Sequence, residues 1–341
     1  MNPRLPAEWE IQSGVLMAWP HAATDWAATL ESVRPVFIDI IRQITRFEQL
    51  MLVAPDTGEA ASCLEQAGID MQQVRLCQMP TNDTWARDFG PITVIYNERP
   101  VLLDFGFNGW GLKFAANHDN LVTARLKEQG ALLPNLKKVG LVLEGGSVES
   151  DGLGTILTTA ECLLSPNRNP QLSRGEIEQA LASLLGARRV LWLNHGWLAG
   201  DDTDAHIDTL ARICPDNTIV YQACDNPQDE HYETLRLMEQ ELRGFTAPDG
   251  TPYRLLPLPW PTARFDSSAH RLPATYANFL VINHAVLVPT YRDQDKDRAA
   301  LECVASAFPG REVIGIDCLP LIEQHGSLHC VTMQLPQGVL P

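Results

Sequence analysis

The chain is short of positive charge: 26 lysines and arginines stand against 42 aspartates and glutamates, which gives a formal net charge of −16 over 341 residues. Nucleic acids and anionic membrane surfaces would be repelled by such a protein, so we expect neither as a partner. The same acidity is compatible with a small cationic substrate.

The sequence also lacks long apolar runs and closely paired cysteines. No stretch reaches the roughly 18 apolar residues of a membrane span, and the first residues, MNPRLPAEWEIQSGVLMAWP, contain no basic segment followed by an apolar one. The eight cysteines include no CxxC pair, so neither a disulfide framework nor a zinc ribbon is expected. We therefore expect a cytoplasmic protein with reduced thiols.

What the chain does contain is a recurring unit, an amphipathic helix followed by a short apolar strand. These strands are predicted to begin near residues 73, 138, 189, 254 and 312, which is a period of about 60 residues. Such a period favours αβ units that stack or close into a ring, although a doubly wound α/β sheet would show the same alternation. The first 55 residues fit the period poorly and would supply the strand that closes the ring.

Polar segments follow most of these strands. TNDTWARDFGP, EGGSVES, NHGWLAGDDTDAHID and IEQHGSLHC come after the first, second, third and fifth strands, whereas WPTARFDSS after the fourth is less informative. Loops at strand ends often carry functional residues on a rigid scaffold. If the units close into a ring, these loops meet at one end of it.

Taken singly, each segment allows more than one interpretation. His206 and Asp208 are two residues apart, so both face the same way on an extended segment and fit either a base–carboxylate pair or a solvated acidic loop. A calcium loop would need a glycine and a downstream glutamate. Zinc would suit His206, Asp208, His329 and Cys330, but His329 and Cys330 are adjacent and would point to opposite faces of a strand.

A cysteine with a distant histidine and carboxylates is the pattern of a nucleophile with separate acid–base help, and Cys330 is the candidate. A serine hydrolase is not indicated, because the sequence has no G-x-S-x-G motif. Carboxylates beside a thiolate would repel an anionic substrate. They would bind a planar cation with several N–H donors, such as a guanidinium or amidinium.

Short motifs spread over nearly the whole chain carry a family resemblance. They are MAWP (17–20) with DW (25–26), WARDFGP (85–91), FNGWG (107–111), EGGSVE (144–149), TDAHID (203–208), YANFLVIN (276–283) and GSLHC (326–330). In this order and spacing they resemble the agmatine deiminase and bacterial peptidylarginine-deiminase-like family of the guanidine-modifying (pentein) superfamily. The resemblance implies a five-bladed α/β propeller of ββαβ units, formed by residues 1–341 as a single catalytic domain.

The resemblance also implies roles for individual residues. Cys330 would attack the guanidinium carbon, His206 would act as general acid and base, and Glu144 would support the site. The intermediate would be a covalent S-alkylthiouronium, and no metal or organic cofactor would be needed. The substrate-binding residues would be Asp88, Asp208, Trp85, Asn278 and Trp110.

The expected substrate is agmatine, converted to N-carbamoylputrescine and ammonia. FNGWG resembles the agmatine-type branch, and between Asp88 and Lys137 the only arginines are Arg99 and Arg125, so no arginine pair clamps a substrate carboxylate there. QHGSLHC and HAATDW depart from the common agmatine deiminase pattern at the amine end of the substrate. An arginine or peptidylarginine deiminase, an amidinotransferase and a non-catalytic cation binder are the alternatives, and a homodimer is compatible with the sequence.

Overall fold

The computed structural model describes residues 3–341, and the chain in this range forms eighteen strands. The strands are Gln12–Ala18 (β1), Gln49–Ala54 (β2), Val74–Gln78 (β3), Ile92–Tyr96 (β4), Arg99–Gly106 (β5), Asn135–Val142 (β6), Glu149–Ser150 (β7), Thr155–Thr159 (β8), Arg189–Leu193 (β9), Ala211–Cys214 (β10), Thr218–Gln222 (β11), Arg254–Leu258 (β12), Arg264–Phe265 (β13), Arg271–Leu272 (β14), Leu280–Ile282 (β15), Ala285–Thr290 (β16), Glu312–Asp317 (β17) and Thr332–Pro336 (β18).

Ten α-helical segments lie between the strands of the described range, and several are single turns. They are Leu30–Ile44 (α1), Thr57–Gln66 (α2), Ala86–Phe89 (α3), Gly109–Leu112 (α4), Val122–Glu128 (α5), Ala160–Leu163 (α6), Arg174–Leu185 (α7), Tyr232–Gly244 (α8), Gln294–Ala307 (α9) and Leu319–Ile322 (α10). No helix of residues 3–341 is both long and apolar enough to cross a membrane.

Four three-stranded sheets share one pattern. Their strand orders are β4-β5-β6, β7-β8-β9, β10-β11-β12 and β15-β16-β17. In each sheet the first two strands are antiparallel and the last two are parallel. Since parallel neighbours need a crossover connection, a helix joins the second strand to the third: α5, α7, α8 and α9 in turn. These sheets are therefore ββαβ units.

The fifth sheet combines the two ends of the chain. Its order is β18-β1-β2-β3, with β1 antiparallel to β18 and parallel to β2. The first 55 residues thus supply β1, which pairs with the last strand of the chain. A separate hairpin, β13-β14, lies in the connection after β12.

The predicted repeat is confirmed at the level of the strands. Each of the five sheets ends in an edge strand parallel to its neighbour, and these edge strands begin at Val74, Asn135, Arg189, Arg254 and Glu312. The chain forms several small sheets in place of one continuous sheet, so the alternative of a doubly wound sheet is wrong.

The helices cover the sheets through one apolar face each. In α7, Ser173 and the Glu176 side chain form a capping box, and Ile177, Leu181 and Leu185 are buried at three- and four-residue intervals. Ala180 and Leu184 flank this face and are half-buried. All eight cysteines are free thiols.

Candidate active site

Each of the five connections that follow a parallel edge strand contributes a side chain to one buried cluster. The contributed residues are Asp88 after β3, Glu144 after β6, His206 and Asp208 after β9, Asn278 after β12 and Cys330 after β17. All are at least nine-tenths buried. The connection after β12, which looked least informative in the sequence, contributes Asn278.

Gly146 lies at the centre of this cluster. A Cβ atom at this position would lie 2.7 Å from His206 Nδ1, 2.9 Å from Asp88 Oδ1 and 3.0 Å from Asp208 Oδ2. Its backbone N–H donates to Asp88 Oδ1 at 3.0 Å. The EGG segment therefore brings backbone close to the cluster, because only glycine leaves room for the three surrounding side chains.

Cys330 lies in a turn, held by Asn278. The Asn278 Oδ1 atom accepts a hydrogen bond from the His329 N–H at 2.9 Å and lies 3.4 Å from the Cys330 thiol. The thiol is 3.8 Å from Asp208 Oδ2. Burial, with the negative charges of Asp208 and Asp88, raises the pKa of Cys330 well above its usual range. The thiol is thus protonated when no cation is bound.

His206 faces Asp88, with 3.6 Å between His206 Nδ1 and Asp88 Oδ1. Burial lowers the pKa of His206, but Asp88, the neighbouring Cys162 and Glu144 outweigh burial and raise it to about 10. Within residues 3–341, neither ring nitrogen has a hydrogen-bond partner. His206 is therefore a buried, protonated group beside Asp88 and Cys162.

The two aspartates differ in their surroundings. Asp88 accepts from the indole N–H of Trp110 at 2.8 Å, and burial raises its pKa to about 6. Asp208 Oδ2 is 2.8 Å from His329 Nδ1. Although burial opposes it, the hydrogen bond and charge of His329 lower the pKa of Asp208. The second oxygen, Asp208 Oδ1, is buried and has no partner among the described residues, so it is a spare acceptor.

Glu144 is bound by a residue that the sequence did not single out. The Arg168 Nε–H lies 3.0 Å from both carboxylate oxygens of Glu144, and Arg168 also pairs with Asp204. Donor atoms of Glu144, Cys162 and His206 lie within 4.8 Å of one another, a set that suits zinc in kind. Because Arg168 already occupies the Glu144 carboxylate, this cluster is better described as an ion-pair network.

The position of His329 corrects the sequence analysis. His329 and Cys330 were expected on opposite faces of a strand, but residues 328–331 form a turn and β18 begins only at Thr332. Both side chains therefore reach the same oxygen of Asp208.

Arg87 is adjacent to Asp88 in the sequence, but its side chain pairs with Glu8 at 3.2 Å. The pairing of Arg87 with Glu8 could not be predicted from the sequence, because Glu8 lies in an N-terminal segment without periodicity.

A pocket of about 370 Å³ opens above Cys330 and Asp88. Trp85, Trp110 and Phe114 form its apolar wall, with 6.4 Å between the Trp85 and Trp110 ring centroids. Gly326, in the GSLHC motif, packs against Trp85 so closely that a Cβ would lie 2.1 Å from the indole. Trp85 and Trp110, which the resemblance implies as substrate-binding residues, thus line the same pocket as Cys330.

The rest of the pocket wall is acidic. Besides Asp88, it includes Asp25, Asp83, Asp119 and Asp202, and none of the described residues that line it is a lysine or an arginine. Burial raises the pKa values of Asp83 and Asp119 to about 7. A bound cation would favour the ionised form of both groups. The pocket therefore suits a positively charged ligand.

Fold and site together define a class: an α/β protein of repeated ββαβ units, with a buried thiol, histidine and carboxylates beneath one acidic pocket. The family model described as Porphyromonas-type peptidyl-arginine deiminase matches residues 4–336. The chain belongs to this family, and the resemblance seen in its motifs is confirmed.

Like the family model, the similar solved structures and curated relatives match nearly the whole chain. A Cys-to-Ser variant of the C. jejuni agmatine deiminase with substrate bound is 38% identical, with a TM-score of 0.91, and the match covers 99% of this chain and 97% of that one. The agmatine deiminase of Medicago truncatula is 30% identical, covering 97% of this chain and 96% of the relative. A Porphyromonas gingivalis structure, provisionally named an arginine deiminase, is 51% identical, with a TM-score of 0.94 and full coverage of both chains.

Proposed function

We propose that the protein is an agmatine deiminase, a C–N hydrolase that converts agmatine and water to N-carbamoylputrescine and ammonia. The observation that carries this proposal is the acidic pocket above Cys330, whose described wall has five aspartates and no basic side chain other than His325. A guanidinium with an ammonium at its far end is complementary to such a wall.

Asp88 and Asp208 bind the guanidinium in this account. Planar guanidinium N–H donors match carboxylate oxygens in a fork geometry, and Asp208 Oδ1 has no partner within the described residues. Trp85 and Trp110 pack along the substrate's methylene chain. The bound cation offsets the negative charges of Asp208 and Asp88, which raise the pKa of Cys330. It therefore favours the thiolate at the moment of attack.

The reaction proceeds in two halves. The Cys330 thiolate forms a bond to the guanidinium carbon, protonated His206 donates its proton to one nitrogen, and ammonia leaves as the C–N bond breaks. The remaining S-alkylthiouronium is attacked by water, from which neutral His206 takes a proton. The C–S bond then breaks, the remaining proton of the former water passes to solvent, and the ureido product and the thiolate are released. Glu144 with Arg168 supports His206, and Asn278 orients the Cys330 turn.

An arginine or peptidylarginine deiminase is the second candidate, because the 51% identical relative carries an arginine deiminase name. All of the catalytic groups would be shared. The difference lies in the pocket, where the α-carboxylate of arginine would face aspartates, with His325 as the one basic side chain in the described wall. We therefore favour agmatine. An amidinotransferase would differ only in releasing the amidino group to an amine.

We also propose that the five sheets are the blades of a pentein propeller, and that residues 1–341 form a single catalytic domain. Support comes from the five connections that each contribute to one cluster, and from the pairing of β1 with β18.

The covalent step provides the test. After rapid acid quenching with agmatine, mass spectrometry should find the Cys330 peptide heavier by agmatine less ammonia. Cys330→Ser should lose the adduct and reduce ammonia release by at least about 10³-fold. The matched control is Cys303→Ser, a half-buried thiol on α9, which should keep both. Ammonia release that survives in Cys330→Ser would contradict the proposal.

A further inference from the structure

A buried ion network beneath the site reaches Asp208 through His329. His329 is 1% exposed, and its two ring nitrogens face carboxylates on opposite sides. Nδ1 lies 2.8 Å from Asp208 Oδ2, and Nε2 lies 2.8 Å from Glu8 Oε1. We propose that His329 and Glu8 are positioning residues that hold the Asp208 carboxylate in the orientation that receives the guanidinium.

The proton arrangement fixes the ring. Asp208 is an ionised acceptor, so Nδ1 must carry a hydrogen and donate it. Nε2 lies 3.0 Å from Arg212 Nη2 as well as 2.8 Å from Glu8 Oε1, and burial with the charges of Arg212 and Arg87 lowers the pKa of His329. Nε2 is therefore the acceptor of an Arg212 N–H, and Glu8 holds Arg212 in place. With a hydrogen bond at each edge, the imidazole cannot rotate without breaking both.

Glu8 is itself held from several sides. It pairs with Arg212 and with Arg87 Nη1 at 3.2 Å, and its Oε2 accepts from the Gln334 side chain at 2.9 Å. Glu8 lies in the segment before β1 and so joins the N-terminal residues to the centre of the molecule. Buried ion pairs of this kind contribute little net stability compared with apolar packing, because desolvation offsets their attraction. The network therefore accounts better for the fixed geometry of the site than for the stability of the fold.

The consequence for catalysis concerns the two oxygens of Asp208. His329 occupies Oδ2, the oxygen that also lies 3.8 Å from the Cys330 thiol, and leaves Oδ1 without a partner among the described residues. Without His329, the carboxylate would be free to rotate, and its contact with the thiol would no longer be confined to Oδ2. The guanidinium would then lose a preset acceptor, and misplacement of about 1 Å costs roughly 10²-fold in rate.

This inference rests on the proposed function, because its readout is turnover of agmatine. His329→Ala should raise the KM for agmatine and lower kcat/KM by roughly 10²-fold. His329→Asn places an amide N–H near the position of Nδ1 and should recover most of that loss. His329→Gln places its amide near Nε2 and should not. Glu8→Gln keeps a hydrogen-bond acceptor for Arg212 but not the charge, and should cause a smaller rise in KM.

His231→Asn is the matched control. His231 is also 1% exposed and forms a 2.7 Å contact with a carboxylate, Asp229, but it lies away from the pocket above Cys330. Its substitution should lower the melting temperature without changing the KM. Equal behaviour of His329→Asn and His329→Gln, or a loss of stability with unchanged KM in His329→Ala, would overturn the positioning role alone. A wild-type enzyme that releases no ammonia from agmatine would overturn the proposed function, and this role with it.

Discussion

Asp88 and His206 are two of the buried ionisable groups whose protonation states the proposed chemistry requires, beside Cys330 and Asp208. Burial raises the pKa of Asp88 to about 6, and the surrounding carboxylates and Cys162 raise that of His206 to about 10 against the effect of burial. Asp88 must be ionised to bind the cation, and His206 must be protonated to release ammonia. We predict that kcat/KM rises as pH increases through about 6 and falls as pH increases through about 10.

Trp110→Phe tests the assignment of the acid limb. The Trp110 N–H donates to Asp88 Oδ2 and favours the ionised carboxylate. Its removal should move the acid limb to higher pH while the alkaline limb stays in place. An acid limb that does not move in this variant would contradict the assignment to Asp88.

At the scale of elements, the turn that contains Gly146 brings backbone between three site residues. Gly146→Ala should reduce kcat/KM by roughly 10²-fold or more, because the added methyl group would displace His206, Asp88 or Asp208. Gly175→Ala, in α7 with no atom within 4 Å of the new Cβ, is the control and should retain full activity. Full activity in Gly146→Ala would show that the cluster is not the site of turnover.

Elements of the fold differed in how far the sequence predicted them. The strands at 74, 189, 254 and 312 and the capped helix α7 were predictable, because apolar periodicity and capping are local properties. The turn at 328–331 was not, because it depends on the Asn278 side chain about fifty residues earlier in the chain. For the same reason, adjacent His329 and Cys330 were wrongly placed on opposite faces.

At the scale of the whole molecule, the site brings together residues that are distant from one another in the sequence. The motifs indicated Cys330, His206 and the carboxylates, because their residue types are characteristic of guanidinium chemistry. Arg168 and Glu8 had no such signal, since an arginine or glutamate in a polar segment is ordinarily a solvated side chain. Only the fold shows that one binds Glu144 and the other contacts His329.

The acidic pocket is a property of the whole molecule, since Asp25, Asp83, Asp119 and Asp202 come from separate connections. The most direct measurement is therefore kcat/KM for ammonia release from agmatine and from arginine by the same preparation. We predict that agmatine is preferred by about 10²-fold or more, because a carboxylate placed among aspartates costs several kcal/mol. Equal or faster turnover of arginine would contradict the account.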